Sequence, residues 1–126
     1  MRLAERLAII DNSSQHVWSH MMGAVGFITH LSNFWPEYPL EIWNLLQQED
    51  YRQVIRRLAE FKWRWSKWVR KVVAETEGEG PFIKAAMEEV GLPAGSPRPP
   101  ARPVSAPLRQ ELRQLLTSLD AGPAMR

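Results

Sequence analysis

The chain has 126 residues and a mass of 14.5 kDa, room for one ordinary domain. It is 44% hydrophobic and 24% charged, which excludes the compositions of disordered chains. Its lack of cysteine excludes disulfides, thiolate metal sites and cysteine nucleophiles. The net charge of +2 conceals a segregation, because residues 52–71 carry eight basic side chains and one acidic, whereas residues 1–51 carry two basic and six acidic. No apolar run approaches the roughly 20 residues of a membrane span. Glu5 and Arg6 interrupt the N-terminus where a signal peptide needs an apolar core, so a cytoplasmic protein without a membrane partner is expected.

Leu7-Ala8-Ile9-Ile10 is a short apolar run ending at Asp11-Asn12-Ser13-Ser14, a cluster of turn and cap residues. Four apolar residues stopped by turn formers predict a strand buried on both faces, as in a parallel sheet. A short helix over Gln15–Met22 follows, with Ser13 or Ser14 as its N-cap. Gly23 ends it, and Ala24–Thr29 is a second buried strand, completing a βα unit that feeds a parallel neighbour. Two parallel strands do not make a sheet that stands alone. The N-terminal third therefore reads as the end of a larger α/β structure.

The remainder is helical. Pro36 opens a helix in its first turn, with Leu40, Trp43, Leu45 and Leu46 as its buried face. Asp50 caps a long helix to about Glu75, whose apolar positions Tyr51, Val54, Ile55, Leu58, Phe61, Trp65, Trp68, Val69 and Val72 keep a 3-and-4 spacing. Gly78-Glu79-Gly80-Pro81 breaks it, and Phe82–Val90 forms a shorter helix closed by Gly91. Six of the ten prolines fall in residues 93–107, an extended strap. Leu108, Leu112, Leu115, Leu116 and Leu119 mark a last amphipathic helix, and Ala121–Arg126 reads as a frayed tail.

Few side chains stand out as chemistry. His16 and His20, four apart, share a helical face and with Asp11 offer a conceivable zinc set, but HVWSH lacks the glutamate of a metalloprotease HExxH motif. A polar helix edge near the strand ends is the favoured reading, with no metal. Ser13, Ser14, Ser19 and Ser32 lie near histidines in sequence without a GxSxG elbow, and Lys84 stands early in its helix. The run Phe61–Lys71 interleaves rings with cations, as nucleic-acid or membrane contacts do. Periodicity places most of those rings on the apolar stripe, so a solvated helix is preferred and no nucleic-acid partner is expected. Glu60 and Arg64 are spaced to pair at i,i+4, and only Trp63 lies well off the stripe.

The pieces also occur in a familiar order. Gly23-Ala24-Val25-Gly26-Phe27-Ile28-Thr29 resembles the Gly-x-x-Gly-x-Ile/Ser-x eighth strand of the dihydrodipicolinate synthase / N-acetylneuraminate lyase family. Gly80-Pro81-Phe82-Ile83-Lys84-Ala85-Ala86-Met87 is similar to its Pro-x-x-x-Lys-x-Ala helix. Gly91–Gly95, the proline strap Arg98–Val104 and the helix Leu108–Leu119 resemble the segments that follow. The resemblance implies an α/β chain that is mostly α by content. It would comprise the last two β/α units of a (β/α)8 TIM barrel over residues 1–49, then a C-terminal helical domain over residues 50–126. It further implies a class I aldolase-type lyase of pyruvate or another 2-oxo acid, without a cofactor and oligomeric as a full chain. The Schiff-base lysine of strand six and the proton-relaying tyrosine of strand five would lie outside these residues, leaving no catalytic residue here and an inactive fragment. What would remain is the substrate-facing rim: Asp11, Asn12, Ser13, Ile28 and Thr29, with the Ile28 backbone approaching a bound pyruvyl group. Asp11 stands where the family usually has glycine, which implies a subfamily with another substrate. The alternative is a non-catalytic helical interaction module derived from the same family.

Overall fold

The computed structural model describes residues 6–119. Strand β1 (Ile10–Asp11) is followed by helix α1 (His16–Met21), strand β2 (Gly26–Phe27), a 3-10 turn (His30–Asn33) and helices α2 (Glu37–Gln47), α3 (Tyr51–Thr76), α4 (Gly80–Glu89) and α5 (Ala106–Leu119). The two strands pair in parallel, Ile10 opposite Gly26 and Asp11 opposite Phe27. Bonds from Val25 N to Ile9 O (2.9 Å) and from Ile28 N to Asp11 O (2.8 Å) extend the ladder. Gly23, at φ 96°, supplies the left-handed turn that takes the chain from α1 into β2.

The sheet departs from expectation in burial. Leu7, Ile9, Ile10, Val25 and Ile28 are all exposed, although both strands read as buried on two faces. A strand is covered on both sides only where layers exist on both sides, and among the described residues these two strands have no third strand beside them. The expected barrel units are thus represented by one two-stranded parallel sheet with α1 between its strands.

The core belongs to the helices. Asp50 accepts a hydrogen bond from Gln53 N and caps α3 as expected. Val54, Phe61, Trp68 and Val72 then bury one stripe along 26 residues. Ile55, expected on that stripe, is exposed, as is Leu40 on α2, where Tyr38 and Ile42 take the buried places. Both misplaced residues lie at the margin of an apolar face, where the neighbouring helix decides coverage. Glu60 does not pair with Arg64. Arg57 draws Glu60 (3.0 Å) together with Glu41 of α2 (2.7 Å), and Arg64 reaches Ser118 instead.

Helix α4 carries Pro81 in its first turn and packs the fully buried Ala85 and Ala86 against the core. Small side chains there let helix backbones approach closely. Helix α5 lays Leu108, Leu112 and Leu116 on the same core, and the Trp68 indole N–H donates to Leu108 O at 2.9 Å. The proline strap between α4 and α5 is tied down along its length. Lys84 Nζ donates to Ala94 O at 2.6 Å, Arg102 N to Thr76 O at 3.2 Å, and Ser105 donates through N and Oγ to Glu75, both at 2.9 Å. The expected tail Ala121–Arg126 lies outside the described residues. Among the described residues no helix is long and apolar enough to cross a membrane.

Candidate functional site

The two parallel strands end on the same side, and the loops leaving them shape one wall of a concavity. The carboxylate of Asp11 is buried at the end of β1 and organises the loop beyond it. It accepts from Ser13 N (2.7 Å) and Ser13 Oγ (2.6 Å) on Oδ1, and from His16 Nδ1 (2.7 Å) on Oδ2. Ser14 takes the left-handed conformation (φ 63°), turning the chain back so that His16 can reach Asp11 five residues away. Ser13 Oγ in turn accepts from Gln15 N at 3.2 Å. The N-cap of α1 is therefore Gln15, without a side-chain cap bond, rather than Ser13 or Ser14, because Asp11 has already claimed Ser13.

Burial works against ionisation of Asp11 and is the largest single influence on it. The hydrogen bonds from Ser13 (side chain and backbone) and from His16, with a smaller one from Ser19, together outweigh it and bring the carboxyl down to about 2. An ionised carboxylate only accepts, so the proton between the two side chains sits on His16 Nδ1. The neutral imidazole then has its lone pair on Nε2. The ring is held flat against Phe27, centroids 4.2 Å apart and planes at 24°.

A cavity of about 390 Å³ opens beside this pair. Asn12, Ser14 and His16 come to it from the β1 loop and α1, Ile28 and Thr29 from the end of β2, and Lys62 and Trp65 from α3. Of the five rim residues expected from sequence, Asn12, Ile28 and Thr29 line the cavity directly, while Asp11 and Ser13 stand behind it as supports of His16. Thr29 Oγ1 accepts from Leu31 N at 3.3 Å, and Ile28 N is engaged by Asp11 O. Lys62, which the sequence reading left on a solvated face, bridges to the loop by donating from Nζ to Ser14 O at 3.1 Å. Its spacing within the basic stretch carried no sign of that contact.

The two histidines expected to share a face do not share a ligand. His20 Nδ1 lies 3.2 Å from Tyr51 Oη and its ring meets Trp43 edge-on, whereas His16 is committed to Asp11. Among the described residues no three His, Asp or Glu side chains converge as a metal set. The rings of Phe61, Trp65 and Trp68 form a chain of contacts at 5.5 and 5.2 Å inside the protein. Of the rings in that basic stretch, Trp63 alone stands out in solvent, 66% exposed, with Lys67 Nζ 5.2 Å from its ring centre.

No protein-family model matches the sequence, and no curated protein matches it either. Solved structures do. The crystal structure of dihydrodipicolinate synthase from Oceanobacillus iheyensis superposes with a TM-score of 0.67 and 28% identity over 90% of this chain. The enzyme of the same name from Bacillus clausii gives 0.65 and 24% over 88%. The chain spans 37% of the length of each of those structures. The chain thus resembles dihydrodipicolinate synthase structures over a stretch consistent with a C-terminal part of them.

Proposed function

We propose that this chain is the C-terminal portion of a class I aldolase-type lyase that acts through a Schiff base on pyruvate or a related 2-oxo acid. The observation that carries the reading is the likeness to dihydrodipicolinate synthase over nine-tenths of the chain, with the cavity lying at the C-terminal ends of the parallel strands, where barrel enzymes place their active sites. In this reading residues 1–49 are the end of the barrel and residues 50–126 the appended helical domain. The lysine that forms the iminium comes from a strand outside these residues. An iminium takes up the electron pair of the adjacent breaking bond far better than a ketone does, so that lysine supplies the principal catalytic power. Of the expected rim, Asn12, Ile28 and Thr29 face the substrate, and Asp11 and Ser13 support it from behind. Lys84, spent on the Ala94 and Gly95 carbonyls, is not the nucleophile.

Borohydride reduction in the presence of labelled pyruvate tests the proposal. The chain alone is expected to stay unlabelled. Expressed together with the uncovered part of a dihydrodipicolinate synthase barrel, it is expected to copurify with a partner that takes the label. Label on this chain alone would overturn the placing of the lysine, and a pair that neither assembles nor labels would count against the lyase reading.

A second reading, a helical interaction module, is favoured by one observation: Trp63 stands exposed on a helix whose other rings are packed. Sedimentation separates the two. A defined oligomer that dissociates on Trp63→Ala supports the module, and a species unaffected by that change does not.

A further inference from the structure

His16 is buried, yet half of its hydrogen-bonding capacity is unspent. Nδ1 is bound to Asp11, Nε2 has no partner among the described residues, and no buried polar side-chain atom of the described residues lacks one. Nε2 is therefore open, and the open space beside it is the cavity that His16 lines. A histidine aligned through one nitrogen by a buried carboxylate and open at the other is built to exchange a proton with whatever occupies that space. The nearest permanent cation on the same cavity is Lys62, held in place by Ser14 O.

We infer that the cavity between His16 and Lys62 is a proton-linked site for a carboxylate group, which accepts hydrogen bonds from His16 Nε2 and Lys62 Nζ. Binding and protonation are coupled. A neutral His16 offers a carboxylate only a lone pair, whereas the imidazolium, with Nδ1–H on Asp11, offers Nε2–H, so the anion enters together with one proton. The charged or titratable groups around it are Asp11 on β1, His30 in the 3-10 turn, Tyr38 on α2, Lys62 on α3 and Glu79 before α4. Of these, Asp11 stays ionised through the neutral range, Lys62 adds positive charge, and Glu79, which also lines the cavity, opposes an anion. A proton delivered to Nε2 in this way is also available to the ligand once it is seated.

The inference takes its probe, pyruvate, from the function proposed above. Following the imidazole signals of the chain by ¹H–¹⁵N NMR across pH, pyruvate is expected to raise the His16 titration midpoint by about half a unit or more. Methyl pyruvate, which lacks the charge, is expected to leave it unmoved. Pyruvate affinity falls as pH rises through that midpoint. His16→Gln weakens binding about tenfold and removes the pH dependence, while Lys62→Met weakens binding and keeps it. A midpoint unmoved by pyruvate, one moved equally by methyl pyruvate, or a His16→Gln protein that binds as before would each overturn the site. None of these outcomes bears on where the Schiff-base lysine lies, and borohydride label on this chain would not bear on the His16 midpoint.

Discussion

The first 25 described residues and the 89 that follow use the same kinds of side chain to opposite ends. Between Leu7 and Ile28 most large apolar residues face outward: Trp18 is 64% exposed and Ile28 59%, with Met21, Met22 and Val25 beside them, while Val17 and Phe27 pack against the helical core. From Phe34 onward most face inward, with Leu40, Ile55, Trp63 and Leu92 as exceptions, and Leu112 and Val72 are wholly buried. The difference lies in what each region can complete by itself. A helix satisfies its own backbone and needs only a neighbour for one stripe, so four helices close a core among themselves. A parallel strand needs partners at both edges and cover on both faces. The N-terminal region relies on the hydrogen-bonded cluster of Asp11, Ser13 and His16 together with the packing of Val17 and Phe27 on the helices.

The contrast predicts unequal responses to perturbation. The largest belongs to the helical core: Leu112→Ala is expected to cost about 2–5 kcal/mol in urea unfolding followed by circular dichroism. Val25→Ala, a truncation one carbon smaller at an exposed residue, should stay within about 0.5 kcal/mol; a Val25→Ala loss as large as that of Leu112→Ala would erase the distinction. Next comes Asp11. Its carboxyl is held below its unfolded value of 3.8, at about 2, so its contribution is complete above pH 4 and disappears as pH falls through 2. The amount is about 2 kcal/mol, and Asp11→Asn should flatten the stability profile in that window. Replacing the α3 cap, Asp50→Ala, should cost about 1 kcal/mol, read from the same unfolding curves. The smallest effect is expected for Glu41→Gln, which breaks a half-exposed pair with Arg57 and should cost under about 1 kcal/mol, less in high salt.

The order of the elements was legible in the sequence wherever the signal was local. Asp50 ahead of a 3-and-4 apolar spacing announces α3, and Gly78 to Pro81 announces its end, because capping and periodicity act within a turn or two. Leu40 and Ile55 were not legible, since their exposure depends on the angle at which another helix crosses. Nor was the loss of the Glu60–Arg64 pair, which follows from Glu41 arriving on a different helix. Strand burial failed for a stronger reason: an apolar run states what a segment can bury, not what is present to bury it. At the site, motif order pointed to Asn12, Ile28 and Thr29, and these three line the cavity. The Asp11–His16 contact escaped because it depends on Ser14 adopting a left-handed turn, a conformation that serine does not advertise.

The six indoles give the molecule an optical division of its own. Trp35 and Trp68 are sealed in the core, Trp43 and Trp65 are half-buried, and Trp18 and Trp63 meet solvent. With Trp63 changed to phenylalanine, Trp18 becomes the sole indole open to water, and it stands on α1 two residues from His16. Red-shifted emission quenched by iodide would then come from the neighbourhood of the sheet alone. Blue, unquenched emission would report the helices, so one fluorimeter trace could follow each region separately as the protein unfolds.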